Sequence, residues 1–144
     1  MQQRNIGSHQ VPAIGLGCMN LSHAYGHPPS EADAITLLHR AFELGVRHFD
    51  TAALYGFGSN ETLVGKALKS LRGEIHLASK CGMTGVDGKR VIDGRPETLV
   101  KTIDEALQRL QTDHIDLYYL HRWDKSVPIE ESMGALSKMV EEGK

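Results

Sequence analysis

Three ionisable side chains each close an apolar run: Asp50 ends "VRHFD", Lys80 ends "EIHLASK" and His121 ends "IDLYYLH". A phenol, Tyr55, follows Asp50 in the glycine-flanked stretch "TAALYGFG". If the runs are neighbouring parallel strands, about 4.8 Å apart, their terminal groups can meet within one or two strand spacings. The chemistry such a cluster suits is proton donation. A tyrosine with its ordinary pKa of about 10 is a poor proton donor to a carbonyl at neutral pH. An adjacent ammonium favours the phenolate and so makes the phenol a better acid. A carboxylate on the next strand holds that ammonium charged and in place. At an effective dielectric near 20, the raw attraction at about 4 Å is roughly 4 kcal/mol before desolvation. Asp50, Lys80 and Tyr55 therefore read as a tuned general acid, with His121 able to orient the oxygen that receives the proton. Acid catalysis of this type supplies ~10²–10⁴-fold, or roughly 3–5 kcal/mol. Taken singly, each residue has a plainer reading: a strand-end cap, a solvated lysine, a structural histidine, an amphipathic loop tyrosine.

Convergence of these groups requires parallel strands, and the chain alternates accordingly. "VPAIGLGCM", "VRHFDTA", "EIHLASK" and "IDLYYLH" read as short strands. The first helix begins at an N-cap, Ser30 of "SEAD", carries Ile35, Leu38 and Phe42 at helical spacing, and stops near Gly45. A second helix spans roughly Glu61 to Leu71, with Val64, Ala67, Leu68 and Leu71 on one face. The third has Pro96 near its start and the stripe Leu99, Ile103, Leu107, Leu110; the fourth starts near Pro128 and carries Ile129, Met133, Leu136 and Val140. The order βαβαβαβα implies parallel strands joined by right-handed crossovers. Ahead of it, "RNIGSHQVPA" reads as a hairpin turning at Gly7 and Ser8. Two architectures fit: a doubly wound open sheet, or part of a (β/α)₈ barrel, and both place functional groups at the carboxyl ends of strands. Period-two counting puts His48 with Asp50, His76 with Ala78 and Lys80, and Leu117 with Tyr119 and His121 on one face. Ile75, Leu77, Tyr118 and Leu120 then face the helices, and Asp116 falls among them on the helix side.

The totals bound the function. The chain has 144 residues, a formal charge of −2, 40% hydrophobic and 24% charged residues, which suits one soluble domain over 1–144. No basic run points to nucleic acid, no apolar run is long enough for a membrane span, and the opening residues lack the apolar core of a signal peptide. Two cysteines, Cys18 and Cys81, favour a reducing, cytoplasmic setting and free thiols. "GLGCMN" is not a dinucleotide fingerprint, because Asn20 stands where the third glycine belongs. The eight histidines show no ligand spacing, so no metal is expected.

Beyond these spacings, "GLGCMNLS", "FDTAALYGFGSNETLVGKAL", "ASKCG", "RPETLVKTIDEALQRLQTDHIDLYYLHRWD" and "VPIEESMGALSKMVEEGK" resemble the aldo-keto reductases, in order and over nearly the whole chain. The resemblance implies a (β/α)₈ barrel, present here as a βαβαβαβα half-barrel with an N-terminal β-hairpin. It implies carbonyl reduction with NADPH, hydride passing to the carbonyl carbon while a tyrosine protonates the oxygen. The family's Asp–Tyr–Lys–His tetrad falls on Asp50, Tyr55, Lys80 and His121. Gly17, Cys18, Met19 and Asp50 match the strand end that lines the nicotinamide-ribose end of the cofactor. Tyr25 and Trp123, in loops after the first and fourth strands, are expected beside a small carbonyl substrate. Because only four of eight units are present, the chain reads as truncated, with full activity expected from the missing half or from two copies closing the sheet. The competing expectation is a non-catalytic or regulatory subunit, or an inactive remnant, that keeps the fold.

Overall fold

The computed structural model describes residues 1–22 and 24–144. The chain opens with the antiparallel hairpin β1 (Gln3–Ile6) and β2 (His9–Pro12), turning at Gly7 and Ser8. Then come β3 (Leu16–Gly17), α1 (Glu31–Glu43), β4 (His48–Asp50), α2 (Ser59–Leu68) and β5 (His76–Cys81). A second hairpin, β6 (Met83–Val86) and β7 (Lys89–Ile92), precedes α3 (Pro96–Leu110), β8 (Leu117–Leu120) and α4 (Ile129–Glu141).

The central sheet has the order β3-β4-β5-β8, every pair parallel. Strands in chain order, each followed by a helix, are four units of the (β/α)₈-barrel type. One face is covered by helices. There Phe49, Leu77, Leu68, Leu99, Ile103 and Leu110 form the core, all at most 2% exposed. The helices form where the apolar stripes lie. Ser30 caps α1, its side chain accepting the Asp33 N–H at 3.2 Å. Pro96 opens α3, whose first turn needs no donor from it.

Several expectations are corrected. "VPAIGLGCM" is not one strand: Val11 and Pro12 complete the hairpin, and only Leu16 and Gly17 enter the sheet. The second helix stops at Leu68, and a 3₁₀ turn, Lys69–Glu74, carries the chain on past Leu71. The β6–β7 hairpin was not anticipated. Its turn residues Asp87 and Gly88 have φ of 49° and 72°, the left-handed pair that two-residue hairpins favour. Asp116 does lie toward the helices, and the 3₁₀ turn supplies the reason. Its carboxylate accepts the Leu77 N–H at 2.8 Å and meets the Arg72 guanidinium at 2.7 Å.

Candidate active site

The site sits where β4, β5 and β8 end. Register places Asp50 opposite Ala78, and Lys80 opposite Tyr119. Lys80 is two residues beyond Ala78 and so shares the face of Asp50. Past β4 the chain still follows β5: Thr51 N–H donates to the Ala78 carbonyl at 2.9 Å and Ala53 N–H to the Lys80 carbonyl at 3.2 Å. It then turns over. Tyr55 begins a 3₁₀ turn to Gly58 in which Gly56 and Phe57 take φ of 55° and 52°. This left-handed pair is uncommon for a residue as large as phenylalanine. Phe57 is seated on the β6–β7 hairpin: a Cβ built on Gly85 would run into its ring. The hairpin that sequence reading missed thus backs the loop that carries Tyr55.

Lys80 Nζ donates to Asp50 Oδ1, to the Thr51 carbonyl at 2.8 Å and to the Tyr55 hydroxyl at 3.1 Å. All three ammonium hydrogens are therefore taken. Around this ion pair the side chains are 14% and 28% exposed for Lys80 and Asp50. The His121 ring stands at right angles to that of Tyr55, centroids 5.9 Å apart. Its backbone N–H donates to the Cys81 carbonyl at 2.9 Å, just past the end of β8. Burial, then the charges of Lys80 and Arg122, push the imidazole pKa below its ordinary value, against an opposing pull from Asp50. The ring is thus a neutral group at neutral pH. Its Nδ1 is enclosed without a hydrogen-bond partner among the described residues.

The remaining candidates spread out. Gly17 lies opposite Asp50, with nothing within 4 Å of where a side chain would stand. Met19 opens a 3₁₀ turn and is half-buried. Cys18 goes the other way: its side chain is fully buried in the core, and burial pushes the thiol up to about 12. Its N–H donates to the Asp50 carbonyl at 2.8 Å and its carbonyl accepts from Asn60, so neither end is left over for a ligand. Cys81 is likewise buried and free. Trp123 is half exposed and donates through Nε1 to the Val127 carbonyl at 3.1 Å. Tyr25 is exposed in the loop between β3 and α1. Four of the residues singled out, Asp50, Tyr55, Lys80 and His121, are brought together; Tyr25 and Trp123 stand on loops beyond the strand ends.

Sequence reading missed four buried polar residues behind the site, Thr51, Asn60, Glu61 and Ser79, none of them exposed at all. The signal was there for one of them. Glu61 shares the helical stripe of Val64 and Leu68, three and seven positions on, and an acid in an apolar stripe calls for a partner.

A family model described as the aldo/keto reductase family matches residues 13–144. The chain belongs to that family. It is 48% identical over 138 residues to a probable aldo-keto reductase of Glycine max, covering 94% of this chain and 40% of the relative. It is 44% identical over 145 residues to a Schizosaccharomyces pombe aldo-keto reductase named for NADP(+), covering 98% of this chain and 42% of that protein. Its fold superposes on an aldo-keto reductase from Bacillus halodurans in its holo form with a TM-score of 0.89 and 37% identity, over 99% of this chain and 47% of that one. The chain spans about two-fifths of the length of these curated relatives and about half of the solved one. Among the described residues no group of His, Cys, Asp and Glu is arranged to hold a metal ion, and no helix is long and apolar enough to cross a membrane.

Proposed function

We infer that the chain carries the proton-donating half of an NADPH-dependent carbonyl reductase. The observation that carries this reading is the Lys80 ammonium held between the Asp50 carboxylate and the Tyr55 hydroxyl. A neutral cofactor ring would find room beside Gly17, where the backbone next to Asp50 has open space in place of a side chain. When bound, a nicotinamide supplies a hydride to the carbonyl carbon of an aldehyde or ketone. The chain's own residues handle the other half of the reaction. Tyr55 donates its hydroxyl proton to the carbonyl oxygen as negative charge builds there. Lys80 lies against that hydroxyl and stabilises the phenolate left behind. Asp50 pairs with the Lys80 ammonium and fixes its position. His121, neutral, offers an uncharged N–H to the same oxygen and orients it without competing for its charge.

The NADP(+) in the name of the fission-yeast relative supports the choice of cofactor. The sheet's edges, β3 and β8, and the partly exposed Tyr119 beside Lys80 support the further reading that full turnover uses a closed sheet, built with more strands or with a second copy of the chain. Sedimentation of the 144-residue chain tests the second copy; a clean monomer excludes it.

The deciding experiment titrates the chain with NADPH by nicotinamide fluorescence and then follows oxidation of bound NADPH by an aromatic aldehyde. Tyr55→Phe removes the proton donor and little volume, and a ~10²–10⁴-fold fall in turnover is expected with cofactor binding retained. Turnover that survives in Tyr55→Phe overturns the assignment.

A further inference from the structure

We propose that Asn60 and Glu61, consecutive residues in the first turn of α2, are positioning residues that hold the Asp50–Lys80 pair from behind the sheet. The proposal rests on the reading above for its consequence in catalysis, and on geometry alone for the contact itself. Side chains alternate along a strand, so the neighbours of Asp50 and Lys80 point away from the site toward α2. Those neighbours are Thr51 and Ser79, and each is tied. Thr51 Oγ1 donates to Asn60 Oδ1 at 2.6 Å, and Ser79 Oγ donates to Glu61 Oε1 at 2.6 Å.

Both helix residues are anchored in turn. Asn60 Nδ2 donates to the Cys18 carbonyl at 2.8 Å and to Ser22 Oγ at 3.0 Å. The first turn of α2 therefore also fixes the loop after β3, whose Cys18 N–H meets the Asp50 carbonyl. Arg109 of α3 donates through Nε to Glu61 Oε2 at 2.8 Å and gives the buried carboxylate its counter-charge. One helical turn thus reaches β4, β5 and the β3 loop at once.

The position needs such a brace. β4 is only three residues long and ends at Asp50; past it the Thr51 and Ala53 N–H groups tie the backbone to β5 but leave the side-chain direction to other contacts. A fully buried carboxylate is a poor choice for stability, since apolar residues often fill such a volume as well or better. What an apolar residue lacks is direction. Hydrogen bonds to Thr51 and Ser79 fix the azimuth of each strand end, and with it the separation of the two charged groups on the other face. A misplacement of about 1 Å at a catalytic group can cost ~10²-fold in rate.

The test compares Ser79→Ala, Glu61→Leu and Glu61→Gln, each first checked for a cooperative thermal transition. Acetylation of Lys80 by acetic anhydride is followed by peptide mass spectrometry, with the exposed Lys101 as internal reference. Aldehyde reduction is measured alongside, separating kcat from the KM for NADPH. Ser79→Ala and Glu61→Leu should raise Lys80 labelling several-fold relative to Lys101, and lower kcat by ~10-fold or more while KM stays within about twofold. Glu61→Gln keeps an oxygen for Ser79 and should recover most of the loss. Lys80 labelling that is the same in folded Ser79→Ala as in the parent overturns the proposal. Turnover that survives Tyr55→Phe overturns the functional reading alone, because the labelling comparison needs no catalysis.

Discussion

At the scale of single residues, the Asp50–Lys80 pair is asymmetric. Lys80 has three acceptors and is 14% exposed, whereas Asp50 is 28% exposed and can rehydrate. Breaking a fully buried pair costs about 3–5 kcal/mol, chiefly by stranding the partner's charge. With this much exposure the figure must be discounted for solvent screening. Asp50→Asn strands the less exposed partner, and it should destabilise the chain by ~1–3 kcal/mol in urea unfolding at neutral pH. Lys80→Met strands a carboxylate that water can reach, so it should cost less. The opposite order would show that Asp50, not Lys80, bears the greater desolvation in this pair.

At the scale of elements, two glycines in helices separate propensity from packing. A Cβ on Gly65 of α2 would stand 2.6 Å from Leu110 Cα of α3, against backbone that cannot swing aside. Helix propensity favours alanine by ~1 kcal/mol, but overpacking costs ~1–3 kcal/mol, so Gly65→Ala should destabilise. Gly134 of α4 has nothing within 4 Å of its missing side chain, and Gly134→Ala should stabilise by ~0.5–1 kcal/mol. Thermal melts of the two variants should move in opposite directions; a rise in both would mean that α2 and α3 have slack between them. The same elements show what a sequence carries. Helices α1, α3 and α4 were legible because a cap or a proline precedes an apolar stripe of period 3.6, and both signals are local. The β6–β7 hairpin carried a usable Asp87–Gly88 signal but flanks it with polar residues such as Lys89 and Arg90, which muted the strand pattern. The left-handed pair at Gly56 and Phe57 was not legible at all, since the Phe57 ring is seated against Gly85, far away in the chain. Asp50, Lys80 and His121 were legible as candidates because a charge closing an apolar run is conspicuous. Behind them, Glu61 stands in the apolar stripe of Val64 and Leu68, a signal for burial, whereas Asn60 looks like an ordinary polar helix start, and only the folded packing of α2 reveals it as buried.

At the scale of the whole molecule, stability should vary with pH in two separate windows, set at different places. At the opposite end of the sheet from Lys80, His48 Nδ1 and His76 Nδ1 lie 2.9 Å apart, and the His9 ring of the N-terminal hairpin meets His76 edge-on at 5.0 Å. A hydrogen bond between two imidazole nitrogens needs one ring to accept, so both cannot be protonated. Burial, then His48, His9 and Arg72, hold the His76 pKa below its ordinary 6.5, against a pull upward from Asp116. His121 is shifted the same way, with burial again the largest cause. Below 6.5 the unfolded chain therefore binds more protons at these two rings than the folded one, so their contribution to stability falls as pH drops through 6.5 and levels off once the folded rings titrate. Glu61, whose carboxyl burial pushes above its ordinary 4.5, works in the opposite direction as it takes up its proton. The second window belongs to carboxylates. The Arg95 hydrogen bond holds Asp93 down at about 2 from an ordinary 3.8, so its contribution is present above 3.8 and is lost only as pH falls toward about 2. Thermal midpoints taken from about pH 7.5 down to about pH 3 should therefore show one decline beginning near 6.5 and another beginning near 4. His76→Phe keeps a ring against His9 but removes the titrating group, so it should flatten the upper decline and leave the lower one in place. An upper decline of undiminished slope in His76→Phe would assign that window to His121, and the combined His76→Phe/His121→Asn chain would then be the one to lose it.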